Sequence, residues 1–104
     1  MEMDGSMFIR VDNGDVPPER LDDFIAFVRD TVLPEVRRRN GYRWLTVSID
    51  RTAGAVSVTT AWDSYDERAE ANSAFKVVLE RGPEYGLRPV RMDFTEQVLS
   101  DVNR

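Results

Sequence analysis

The sequence predicts an α+β domain whose elements follow the order β-α-β-β-α-β, and three observations carry that reading. Apolar Met7, Ile9 and Val11 recur at every second position of residues 7–12, while residues 21–33 repeat apolar side chains at helical spacing. A short polar turn at residues 50–54 joins two further strand-like runs. The second of these, Ala55 to Trp62, carries no charge and passes directly into a helix start at Ser64.

Each element has a local cause. Met7, Ile9 and Val11 alternate with Phe8, Arg10 and Asp12, which is strand period, until Asn13-Gly14-Asp15 interrupts it. Pro17-Pro18 opens a helix, because a fixed φ and a missing N–H do no harm in a first turn. Leu21, Phe24, Ile25, Val28 and Val32 form one apolar stripe, widened by Phe27 and Leu33. Pro34 should kink the helix or end its regular hydrogen bonding there, and Asn40-Gly41 should stop it.

In the second strand Leu45, Val47 and Ile49 are expected on one face, with Tyr42, Trp44, Thr46 and Ser48 on the other. The uncharged third strand reads as central and covered on both faces. Ser64 followed by Glu67 fits a capping box, and Tyr65, Ala69, Asn72 and Phe75 define the expected inner stripe of the helix that follows. Val77, Val78 and Leu79 extend it, Gly82-Pro83-Glu84-Tyr85-Gly86 is a turn, and the last strand begins near Pro89. Glu96 interrupts the apolar series of that strand, so a bulge or an exposed stretch is expected there.

This order is the split βαβ pattern of a ferredoxin-like fold, a four-stranded antiparallel sheet with helices on one face. The other face lacks the charges that water would require, and homodimerisation through paired sheets with two-fold symmetry is the simplest way to cover it. Trp44 is the expected interface aromatic.

Composition narrows the function. The 104 residues suit one domain, read as a disordered leader over residues 1–6 and a single domain over residues 7–104. The absence of cysteine removes disulfides, thiolate metal sites and a cysteine nucleophile. The absence of histidine removes the usual base near neutral pH and the commonest metal ligand, and no carboxylate cluster has recognisable metal-binding spacing, so no metal site is expected. A net charge of −5 argues against a nucleic-acid partner, and the third strand lacks the basic-Gly-aromatic motif of an RNA-binding sheet. The Arg37-Arg38-Arg39 run sits where cations complement a helix C-terminus. No apolar run reaches the ~20 residues of a membrane span, and a cytoplasmic location is expected.

Asn40-Gly41-Tyr42 between the first helix and second strand, the hairpin, and Ala61-Trp62-Asp63-Ser64 before the second helix together resemble the dimeric α/β-barrel superfamily, specifically antibiotic biosynthesis monooxygenase-like domains. The resemblance covers residues 7 to 100. It implies two sheets paired into a barrel, a pocket in each subunit between sheet and helices, and a tryptophan matching Trp62 projecting into that pocket. Some such domains oxidise polyketide-like aromatic molecules with oxygen and no cofactor, whereas others degrade haem held by a helix histidine. This chain has no histidine, which disfavours the haem branch. It also departs from the pattern at Arg68, where relatives tend to carry an apolar residue.

The candidate ligand-binding residues are Trp62, Arg10, Tyr42, Phe24 and Phe75, and no residue is assigned a catalytic role. Trp62 is either the largest core residue or a wall of the pocket, offering a flat face and one N–H donor. Arg10 is a mid-strand cation that needs an acid or a bound anion, and Asp93 is the candidate acid. Phe24 and Phe75 are core residues or pocket walls, and Tyr42 carries a hydroxyl able to polarise a carbonyl. The function implied is a cofactor-independent monooxygenase acting on a small aromatic or polyketide-like molecule. The alternative is a non-catalytic homodimeric module that binds a metabolite or another protein.

Overall fold

A computed structural model describes residues 6–102, so the expected leader lies, apart from Ser6, outside the described residues. β1 (Met7–Asp15), β2 (Tyr42–Asp50), β3 (Ala55–Trp62) and β4 (Arg88–Gln97) form one antiparallel sheet in the order β2-β3-β1-β4. The uncharged β3 is therefore central, between β2 and β1, as its composition requires. The fold is ferredoxin-like, with all helices on one face of the sheet.

Register decides which side chains meet the helices. Phe8, Arg10 and Asp12 of β1 stand beside Trp62, Thr60 and Val58 of β3. On β2, Leu45, Val47 and Ile49 pair with Thr60, Val58 and Val56 and share that face. Ile9, Val11, Trp44, Thr59 and Ala61 belong to the opposite, open face. A register shift between Tyr42 and Trp44 brings Tyr42 round to the helix side, against Trp62, so its expected grouping with Trp44 does not hold. The extra residue of a bulge breaks the strict alternation that assigned Tyr42 to the open face. At Glu96 the second expectation applies: it pairs in register with Phe8 and is exposed.

The first helical segment is continuous but not uniform. α1 (Leu21–Phe27) passes through a π turn (Val28–Val32) into α2 (Leu33–Arg37). Leu33 N–H bonds to the Val28 carbonyl, five residues back. Pro34 explains the turn: its ring crowds the Asp30 carbonyl and it offers no N–H, and a wider turn relieves both. The helix thus bends its hydrogen bonding one turn before the proline and runs on to Arg37. Leu21, Phe24, Phe27, Val28, Val32 and Val36 are buried along it, each worth about 1.5–3 kcal/mol relative to exposure.

α3 (Tyr65–Glu70) begins with the expected capping box. Ser64 Oγ accepts the Glu67 N–H at 3.1 Å, and the Ser64 hydroxyl donates to Glu67 Oε1 at 3.0 Å. A 3-10 turn (Ala71–Phe75) then leads into α4 (Lys76–Arg81). The inward face here is Arg68, Ala71, Ala74 and Phe75, whereas Tyr65, Ala69 and Asn72 are exposed. The expected inner stripe is corrected accordingly: Phe75 keeps its place, and Asn72, though exposed, still turns its amide oxygen inward to Arg10.

Arg68 can face inward because its charge is met. Its Nη1 donates to the carbonyls of Ile9 at 3.3 Å and Thr95 at 3.1 Å. The guanidinium carbon also lies 4.9 Å from the Phe94 ring centroid and 5.1 Å from that of Tyr65. Among the described residues no helix is long and apolar enough to cross a membrane.

Candidate active site

Between the sheet and the helices lies a cavity of about 290 Å³, near the small end of the ~300–1,000 Å³ typical of ligand sites. Its floor is the helix-facing side of β1 and β3, with Arg10, Asp12, Val56 and Val58. Phe24, Val28 and Val32 form one wall, and Phe75 and Val78 form another. The π turn matters here, because residues spaced by four in an α-helix drift round its axis. The wider turn offsets that drift, so Phe24, Val28 and Val32 all reach one cavity. The mouth opens beside β4, where Leu79, Val90 and Met92 are largely exposed.

The polar end of this apolar space is Arg10, only 5% exposed. Its Nε donates to Asp12 Oδ2 at 2.9 Å and its Nη2 to Asp12 Oδ1 at 3.1 Å. Nη1 donates to Asn72 Oδ1 at 2.8 Å, and the guanidinium lies 3.9 Å above the Phe75 ring. The expected partner Asp93 is out of place: it pairs with Val11 in register, on the open face, and takes Arg91 at 2.8 Å instead. Asp12 is two residues along the same strand, so it shares the face of Arg10. That spacing was the signal in the sequence, and it names the one carboxylate in the lining.

Of the five ligand-binding candidates, Arg10, Phe24 and Phe75 line the cavity. Trp62 does not. Its indole is fully buried beside the space, its Nε1 donates to Thr60 Oγ1 at 3.0 Å, and the Tyr42 ring meets it edge-on at 6.0 Å. Tyr42 packs there too, outside the lining. The physical reason is the Thr60 hydroxyl, which gives the indole N–H a buried partner in the sheet. Trp44 stands half-buried on the open face opposite Ala61.

The electrostatics of the cavity are local. No buried side-chain nitrogen or oxygen among the described residues lacks a partner, and none of them form a cluster of three or more acids suited to a metal ion. Away from the cavity, on the π turn, a hydrogen bond from Arg29 holds the Asp30 carboxyl below its usual range.

No protein-family model matches the chain, nor does any curated protein. Solved structures do match. A monooxygenase, ActVA-Orf6 of Streptomyces coelicolor, in complex with nanaomycin D, superimposes with a TM-score of 0.65 at 16% identity, over 93% of this chain and 90% of its own. An antibiotic biosynthesis monooxygenase-like protein of Nitrosomonas europaea gives 0.66 at 8% identity, over 88% of each chain. A dimeric ferredoxin-like protein from an uncultured marine organism gives 0.65 at 12% identity, over 99% of this chain and 96% of its own. The fold is that of the antibiotic biosynthesis monooxygenase-like proteins. At such identities the likeness is one of fold, and the chemistry must be argued from the cavity.

Proposed function

We propose that this protein binds a small aromatic, polyketide-like molecule in the cavity and oxidises it with molecular oxygen, without a cofactor. The observation that carries the reading is an apolar space walled by Phe24 and Phe75 and ending on the buried Arg10. Such a site buries a ring system and aims fixed N–H donors at one oxygen of it. A phenol held there loses its proton more easily, because Arg10 stabilises the phenolate. Asp12, the carboxylate of the lining, receives that proton.

The electron-rich ring carbon para to that oxygen then bonds to O₂ and gives a hydroperoxide. Loss of the hydrogen on that carbon with cleavage of the O–O bond releases water and leaves a quinone carbonyl. The substrate supplies all four electrons that take O₂ to the quinone oxygen and water, one O₂ is consumed, and no external reductant enters. The nanaomycin D held by the Streptomyces coelicolor monooxygenase is consistent with a ligand of this kind.

One observation favours binding without turnover: both oxygens of Asp12 are already occupied as acceptors of Arg10 N–H groups. Oxygen uptake with 1,5-dihydroxynaphthalene separates the two readings. Turnover yields one 5-hydroxy-1,4-naphthoquinone (juglone) per O₂ consumed, and it is lost in a Val28→Phe variant whose ring fills the cavity. Saturable binding with uptake no faster than the uncatalysed background contradicts the monooxygenase reading and leaves the binding one.

We further propose that two copies pair across their open sheet faces, where Ile9, Val11, Trp44 and Ala61 lie among threonines. The dimeric ferredoxin-like structure supports this reading by likeness of fold. Light scattering should give about twice the chain mass of 11.9 kDa, and the chain mass itself would contradict the pairing.

A further inference from the structure

We infer that the cavity selects for charge: it accepts uncharged aromatic ligands through a carbonyl or phenol oxygen and rejects aromatic carboxylates. The inference rests on the cavity being the ligand site and goes on to specify what that site admits. A buried arginine in an apolar pocket ordinarily signals an anionic ligand. Here the anion is already built in. Asp12 meets Arg10 along the side of the guanidinium that carries Nε, with both carboxylate oxygens engaged. The pair is formally neutral.

The remaining cation of the lining is Arg91, at the mouth, and it is paired with Asp93. A carboxylate entering the cavity therefore finds no uncompensated positive charge. It also has to give up its hydration beside the Asp12 carboxylate, in a site walled by valine and phenylalanine.

Arg10 nevertheless keeps donors for a neutral oxygen. Of the five N–H groups of a guanidinium, Asp12 takes two and Asn72 takes one. One N–H on each terminal nitrogen is left over. The group is also held rigid: Phe75 supports its face at 3.9 Å, while Asp12 and Asn72 fix it in its own plane. Preorganised donors next to a neutralised charge suit a carbonyl or phenol oxygen, whose binding adds no net charge to the pocket. Asp12 is thus a specificity-determining residue that acts through Arg10.

The experiment titrates the full chain by calorimetry at pH 7 with two ring systems of matched size. These are juglone, which is neutral, and 1-hydroxy-2-naphthoate, which carries a carboxylate. Juglone is expected to bind at least ~10-fold tighter. In Asp12→Asn the arginine loses its counter-charge, and the preference should shift toward the naphthoate by ~10-fold or more. Val28→Phe should abolish binding of both, which places them in the cavity.

Equal or tighter binding of the naphthoate to the wild type overturns the inference, as does an unchanged ratio in a folded Asp12→Asn protein. If Asp12→Asn fails to fold, the wild-type ratio decides alone. Absence of binding by either compound overturns the cavity as a ligand site, and charge selection falls with it. Binding of both without preference overturns charge selection only.

Discussion

Replacing Trp62 with phenylalanine separates its place in the core from the pocket-wall role that the sequence suggested. The indole is fully buried, and its Nε1 donates to the equally buried Thr60 hydroxyl at 3.0 Å. Removing the second ring empties roughly 40 Å³, which at ~24 cal/mol per Å³ costs about 1 kcal/mol. The Thr60 oxygen then loses its partner where water cannot replace it, for a further ~1–3 kcal/mol. The sum, ~2–4 kcal/mol, corresponds to a fall in Tm of ~10–30 °C for a domain of this size.

Urea denaturation followed by circular dichroism, at one fixed protein concentration, reads the change without confusing it with self-association. Adding Thr60→Val to Trp62→Phe removes the orphaned hydroxyl and should recover about 1 kcal/mol. Juglone affinity should change by less than ~3-fold in the folded single variant, since the indole does not line the cavity. A variant of near-native stability that loses the ligand would refute this placement and restore Trp62 as a wall.

The other expectations address single contacts. Ser64→Ala removes the cap acceptor for Glu67 N–H and should cost about 1 kcal/mol in urea unfolding, with ligand affinity retained. Gly41→Ala should cost more, at least ~1–2 kcal/mol: φ there is +81°, and an added Cβ would run into the Glu67 side chain. Val28→Phe should keep or raise Tm by filling the cavity while abolishing ligand binding, and a large fall in Tm would mean that the space is not free. Thr59→Arg places a charge in the middle of the open sheet face and should halve the mass seen by light scattering.

The elements were legible in the sequence because each has a local cause, such as the strand alternation at Met7–Val11 or the Ser64–Glu67 capping box. The central place of β3 was legible too, since a run of eight residues without a charge has no solvent-facing side. What escaped the sequence depends on a shift of one residue or on the phase of a helix. A bulge beside Arg43 moved Tyr42 to the helix side. The phase of α3 turned Arg68 inward, where backbone carbonyls and aromatic faces meet a charge that composition alone assigns to solvent. The site was half legible: Arg10 stood out as a mid-strand cation, but its partner depended on register, and register put Asp93 on the wrong face. The part of Val28 and Val32 in the cavity depends on the π turn, which only the neighbouring Pro34 hinted at.

A crystal structure of the protein grown with juglone tests directly whether the cavity beneath Phe24 and Phe75 is where an aromatic ligand sits. The predicted result is the bicyclic ring enclosed between Phe24 and Val58, with one of its oxygens within hydrogen-bond distance of Arg10. Juglone seated on the open sheet face, with the cavity empty of it, would contradict that placement.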